Sequence, residues 1–293
     1  MGKWLAQVLL SVMLSTAGFG LHSPQSHAQP EVRSYDSREA VQALAPASFN
    51  VQAKAALLID LQSGVELYAK DADTALPMAS LTKLMTGYII LKHHSLDDIV
   101  TVGPSVATVG GDSQRLGIRE GEQFTVRELM KGLLVYSAND VAVALASWDA
   151  GTEQAFVDKM NDVARELGMQ HTRFANASGL DAGEHFASAR DLSVIARIML
   201  ESEVVRSVVK LPTASMRTVS GKNYVMTTTN RLLTQNSEVQ GLKTGYTLKA
   251  GECLIAYGIL GRKRALSIVL NSPDRFQESD SLIHLALDRI SIQ

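Results

Sequence analysis

The chain has 293 residues, 46% of them hydrophobic and 20% charged, enough apolar content for a packed core and too much for a disordered chain. A formal net charge of −2 excludes a general basic field for nucleic acid or an acidic membrane surface. A single cysteine, Cys253, excludes an intramolecular disulfide.

Lys3 is followed by an apolar run from Trp4 to about Leu21 and a small-x-small pattern at Ser26-His27-Ala28. This is the layout of a secretory signal peptide over 1–28, with an uncleaved anchor as the alternative. No cysteine closely follows the run, so lipoprotein anchoring is not expected. Export to the periplasm, or another extracytoplasmic space, is the implied destination. Residues 29–48 are polar without a firm period and read as an arm or linker. One domain is expected over 49–293.

Within that domain AALLIDLQSGVELYAKDAD predicts a β-hairpin turning at Gln62-Ser63-Gly64. His93 and His94 read as a solvated helix end. TVRELMKGLLVYSANDVAVALASW, EQAFVDKMNDVARELGM and SARDLSVIARIMLES carry apolar residues at helical spacing, and Thr125 with Glu128 forms a capping-box pattern before the first. GECLIAYGILGRKRALSIVLN predicts a second hairpin, with Cys253 as a buried structural thiol in its first strand. Leu282, Ile283, Leu287 and Ile290 give the last stretch a helical period. Strands at both ends and helices between them predict an α+β fold: an antiparallel sheet flanked by helices, with an inserted helical lobe and a groove at the sheet edge.

Three short motifs stand out, and two have decoys. Ser80-x-x-Lys83 opens a helix just after Pro77, whereas Ser207-x-x-Lys210 lies at a helix end before Pro212, where a lysine is ordinary capping. Ser137-Ala138-Asn139 interrupts an apolar series, whereas Ser48-Phe49-Asn50 lies in the polar arm. Lys243-Thr244-Gly245 occurs once.

Positions i and i+3 share a helix face, so Lys83 can approach the Ser80 hydroxyl and act as its base if burial and a second cation lower its pKa. Lys243 could be that cation while attracting a substrate carboxylate. Ser137 could relay a proton to a leaving amine, and Asn139 could hold Lys83 and a substrate amide. Gly245 permits close backbone approach, and the N–H groups of Ser80 and Tyr246 could form an oxyanion hole. No His/Glu spacing suits a hydrolytic metal, and neither metal nor cofactor is expected.

S-x-x-K, a serine–asparagine pair and K-T-G in this order occur in penicillin-binding proteins. With MASLTKLMT, YSAND, NASGLD, SARDL and GLKTGYTLKAG, the chain from about Ala55 resembles the low-molecular-mass penicillin-binding proteins, specifically the serine D-alanyl-D-alanine carboxypeptidases and their endopeptidase relatives. The resemblance implies a β-lactamase/transpeptidase-like fold and attack by Ser80 on the D-Ala-D-Ala bond of peptidoglycan stem peptides. It also implies acylation of Ser80 by β-lactams. Arg275, in SPDRFQESD, matches an arginine that helps hold the substrate carboxylate in the family.

Asp280, His284, Asp288 and Arg289 do not make a cationic face on the last helix. Packing against the sheet is therefore expected, with no firm membrane anchor after signal cleavage. A D,D-endopeptidase that cuts crosslinks with the same residues is the nearest alternative function. A β-lactamase is disfavoured because no E-x-x-L-N segment is present, and an inactive cell-wall binding protein is disfavoured by intact Ser80, Lys83 and Lys243.

Overall fold

The computed structural model describes residues 50–110 and 113–289. The signal peptide expected over 1–28 and the arm over 29–48 lie outside the described residues.

The two hairpins form as their turn residues predict. β1 (Ala55–Asp60) and β2 (Glu66–Lys70) are joined by a turn in which Asp60 accepts hydrogen bonds from the Gln62 N–H at 3.0 Å and the Ser63 hydroxyl at 2.5 Å. Further elements follow in chain order: helix α1 (Lys83–His93), β3 (Ile99–Thr101), β4 (Gln123–Thr125), then α2 (Val126–Lys131), α3 (Asn139–Ala150), α4 (Glu153–Glu166), α5 (Ala189–Glu201) and α6 (Glu203–Val209). A small hairpin, β5 (Thr213–Arg217) with β6 (Asn223–Thr227), and the short α7 (Leu232–Gln235) precede the last strands. These are β7 (Val239–Thr247), β8 (Gly251–Leu260) and β9 (Lys263–Ser272), followed by α8 (Arg275–Arg289).

The main sheet is antiparallel in the order β2-β1-β9-β8-β7, so β1 pairs with β9 across most of the domain's sequence, with Leu57 opposite Ile268. Because successive residues of a strand face opposite ways, the sheet feeds two cores. Leu57, Ile255 and Ile268 join the helices of the middle region. Ala56, Leu58, Leu254 and Val269 face α8, which covers them with Phe276, Leu282, Ile283, Ala286 and Leu287. The approach is close: a Cβ added to Gly258 would lie 2.4 Å from Ile283 Cγ2. Packing of the last helix on the sheet is thus what its apolar stripe predicts. Each of the buried Phe, Leu, Ile and Val side chains among them contributes on the order of 2 kcal/mol by leaving water.

Three local expectations change. The apolar series over 126–150 is not one helix. Thr125 caps α2 by accepting from the Glu128 N–H at 3.2 Å, but a π turn over Gly132–Tyr136 follows and Ser137 adopts φ +67 before α3 begins. Periodicity does not report this break, because apolar residues continue on both sides of it. The β5–β6 hairpin, whose strands expose three of every five residues, was not among the expected elements, although Thr213–Arg217 alternates polar and apolar residues over its short length. His94 is not simply solvated: its Nε2 lies 2.8 Å from Asp149 and its ring lies tilted against Trp148, centroids 4.2 Å apart. His93 is exposed.

Candidate active site

Pro77 ends an extended segment, and Ala79–Thr82 make one tight 3-10 turn that runs into α1. Ala79 has φ +49, a conformation that costs a residue with a Cβ about 1 kcal/mol and so must be held by its neighbours. The turn delivers Ser80 half-buried at the mouth and Lys83 completely buried, three positions on.

Lys83 Nζ lies 2.9 Å from Ser80 Oγ, 2.6 Å from Asn139 Oδ1 and 2.5 Å from the Ser178 carbonyl. As an ammonium it can donate to all three. As a neutral amine it has two protons and one lone pair. The amide oxygen and the main-chain carbonyl only accept, so they take both protons. The lone pair is then left for the Ser80 hydroxyl, which is the arrangement of a base and its nucleophile. Burial, and next the positive charge of Lys243, hold Lys83 well below the ordinary lysine range, against an opposing pull from Asp140.

The left-handed backbone at Ser137 turns its hydroxyl toward β7, where Lys243 Nζ donates to it at 2.7 Å and to the Thr244 carbonyl at 2.9 Å. Burial, and next Arg275, bring Lys243 down to about 7. Thr244 Oγ1 is bonded to Thr229 Oγ1 at 2.5 Å. Gly245 lies against the Ser80 turn: a Cβ there would be 3.0 Å from the Met78 carbonyl oxygen and 3.1 Å from Ser80 N. Tyr246 follows with an exposed side chain. Arg275, at the start of α8, donates from Nη1 to the Gly245 carbonyl at 2.8 Å, while its buried Nε has no hydrogen-bond partner.

The structure therefore brings Ser80, Lys83, Ser137, Asn139, Lys243, Thr244, Gly245 and Arg275 into one connected cluster, with Tyr246 adjoining it. The decoys stay outside it. Ser207 bonds the Val204 carbonyl at 2.7 Å and Lys210 caps α6, and Ser48 and Phe49 fall outside the described residues. Cys253 is buried, and burial pushes its thiol up to about 11.

Two contributors were not expected as site residues. Asn176 Oδ1 accepts from the Ser178 N–H at 3.1 Å and the Gly179 N–H at 2.6 Å, folding a turn that presents the Ser178 carbonyl to Lys83. Asp140, behind Asn139, accepts from the N–H groups of Leu116, Gly117 and Ile118 at 3.1, 2.7 and 3.1 Å. It ties that loop to the start of α3. An Asn-x-x-Gly turn signal lay in NASGLD, but a main-chain carbonyl leaves no signature of its own.

The family model described as D-alanyl-D-alanine carboxypeptidase matches residues 39–274. The D-alanyl-D-alanine carboxypeptidase DacF of Bacillus subtilis is 35% identical over 226 residues, covering 75% of this chain and 58% of the relative. DacC of Escherichia coli is 35% identical over 248 residues, covering 80% of this chain and 61% of the relative. The chain thus spans about six tenths of the length of these relatives. Among solved structures, the DD-transpeptidase of Streptomyces K15 superposes with a TM-score of 0.76 at 29% identity, covering 82% of this chain and 98% of that one. DacD of Francisella tularensis superposes at 0.77 and 28%, covering 83% and 72%. The family match runs through every member of the cluster up to the residue before Arg275, and on that match the chain belongs to the D-alanyl-D-alanine carboxypeptidase family.

Proposed function

We propose that the chain is a serine D-alanyl-D-alanine carboxypeptidase that trims peptidoglycan stem peptides outside the cytoplasm, through an acyl-enzyme on Ser80. The observation that carries this is the bonding of Lys83, whose other two partners can only accept and so leave its lone pair to Ser80.

In this reading Ser80 Oγ attacks the carbonyl of the penultimate D-Ala while its proton passes to Lys83. The Ser80 and Tyr246 N–H groups hold the oxyanion. The leaving D-Ala nitrogen takes a proton through Ser137, whose hydroxyl is fed by Lys243. The terminal carboxylate is held by Thr244, Lys243 and Arg275, whose unpartnered Nε is a buried donor suited to an anion. The proton that Lys83 took from Ser80 replaces the one delivered through Ser137 and Lys243, which returns Lys83 to the neutral amine; water then attacks the ester with Lys83 again as base. A β-lactam presents a carbonyl and a carboxylate to the same groups and acylates Ser80. The signal peptide over 1–28, the arm over 29–48 and one catalytic domain over 49–293 complete the proposal.

The test is intact-mass spectrometry after benzylpenicillin, with Ser80→Ala as control, alongside D-Ala release from a pentapeptide muropeptide. One adduct on the unaltered chain, none on Ser80→Ala, and released D-Ala are expected. Absence of the adduct overturns the nucleophile assignment; cleavage of crosslinked dimers without D-Ala release overturns the carboxypeptidase assignment.

A further inference from the structure

Neither Thr82 nor His185 belongs to the cluster above, yet Thr82 closes the turn that carries Ser80 and His185 is buried against it, at 0% and 5% exposure. The Thr82 hydroxyl donates to the Ala79 carbonyl at 2.8 Å. Its oxygen lies 2.8 Å from His185 Nε2, and His185 Nδ1 accepts from the Ala175 N–H at 2.9 Å. The direction of each proton follows. A main-chain N–H can only donate, so Nδ1 carries the lone pair and Nε2 carries the hydrogen. Nε2–H therefore donates to Thr82, which spends its own proton on Ala79. Every atom in the chain has one complementary partner, and the chain needs a neutral imidazole.

The far end of this chain is the peptide between Ala79 and Ser80. Across a trans peptide the carbonyl and the N–H point in opposite directions. Fixing the Ala79 carbonyl on Thr82 therefore turns the Ser80 N–H to the side opposite the Thr82 hydroxyl. β7 passes near the Ser80 nitrogen: a Cβ added at Gly245 would lie 3.1 Å from it. Ala79 holds φ +49 without being glycine, so the turn would relax if its carbonyl were released. The 176–179 turn passes close to the same carbonyl: a Cβ added at Gly179 would lie 2.1 Å from its oxygen.

We infer that Thr82 and His185 are positioning residues that set the plane of the Ala79–Ser80 peptide and so aim the Ser80 N–H at the substrate oxyanion. This rests on the proposed acyl-enzyme chemistry and adds to it a device that acts through the main chain. Burial lowers His185 to about 4, with Asp181 opposing and Lys83 reinforcing, so the imidazole stays neutral wherever the enzyme would work.

The test compares Thr82→Val, which keeps shape and removes the hydroxyl, with Thr82→Ser, which restores it, and with His185→Gln. Acylation of Ser80 by benzylpenicillin is resolved into the binding constant and the acylation rate constant, and thermal unfolding is followed in parallel. Thr82→Val is expected to lower the acylation rate constant about 100-fold, the scale of losing one oxyanion donor, with binding changed less than about threefold. Thr82→Ser should recover most of the loss, and His185→Gln should fall between. Equal rates for Thr82→Val and the unaltered chain, or no recovery in Thr82→Ser, overturn the inference. Failure of the unaltered chain to acylate would overturn the proposed function instead. The relay is then read without turnover. The imidazole nitrogen resonances of His185 should report the Nε2–H tautomer, and the Ser80 amide resonance should move in Thr82→Val and return in Thr82→Ser. An Nδ1–H tautomer, or an unmoved Ser80 amide, refutes it.

Discussion

Gly179 is the position where a single methyl group should do the most harm to the site. Its φ is +92, and a Cβ there would lie 2.1 Å from the Ala79 carbonyl oxygen, 2.4 Å from the Ala79 carbonyl carbon and 2.8 Å from Ser80 N. All three are main-chain atoms of the nucleophile turn, so no side chain can swing aside. An ordinary carbon–oxygen contact is about 3.3 Å, so in Gly179→Ala one of the two turns must retreat by roughly 1 Å. The left-handed backbone alone costs about 1–2 kcal/mol, and the retreat brings the total to about 3 kcal/mol, or roughly 6–12 °C in Tm. The same movement carries the Ser178 carbonyl away from Lys83, which it now meets at 2.5 Å. A 1 Å error at a reacting group costs on the order of 100-fold in rate. Two neighbours calibrate the claim. Gly183→Ala, in the same loop with open space around it, should be silent. Gly245→Ala, whose Cβ would meet its neighbours at 3.0–3.1 Å, asks for a few tenths of an ångström and should slow acylation roughly tenfold. Penicillin acylation rates and melting temperatures for the three variants check the order. A Gly179→Ala protein that acylates and melts like the unaltered chain, or a Gly183→Ala protein that loses as much, would refute the reasoning.

The charges around Lys83 make a pair of opposite predictions for the acid limb of the acylation rate, which marks loss of the neutral amine. Lys243→Gln removes a cation that lowers Lys83, although burial still lowers it, so the limb should move up; Asp140→Asn removes an anion that raises Lys83, so the limb should move down. Limbs that stay together in both variants would show that another group controls them. Asp140→Asn should also destabilise by about 2 kcal/mol in denaturant melts, because three N–H groups lose a charged acceptor. Lys243 is held near 7, below its ordinary value, so the unfolded chain keeps a proton that the folded chain gives up. Its burial is most costly below about pH 7, and stability should rise as pH increases from there toward the ordinary lysine value. Lys243→Met should flatten that rise, and an unchanged slope in urea melts would count against the assignment.

The legibility of this protein divides along physical lines. Ser80 and Lys83 could be paired from sequence because a helix face links positions three apart, whatever surrounds them. The two hairpins were legible because alternation and a glycine turn are local properties. What remained illegible was made of main chain or of burial. Ser178 contributes through its carbonyl, which every residue possesses, and its placement depends on an Asn176 turn meeting a distant helix. The break at Ser137 is hidden inside an apolar series, because hydrophobicity records which side faces the core and not whether the backbone coils through αR or αL. Its serine earned attention only by interrupting that series. Most instructive are the lysines. Lys83 and Lys243 lie in ordinary-looking segments, each too distant in sequence to perturb the other. Only when β7 closes the sheet edge against α1 do both lose water, and only then does the charge of Lys243 bear on Lys83 and that of Arg275 on Lys243. Motif order could therefore single out the proposed base, but the feature that would let a lysine act as one, its lowered pKa, is a property of the folded neighbourhood.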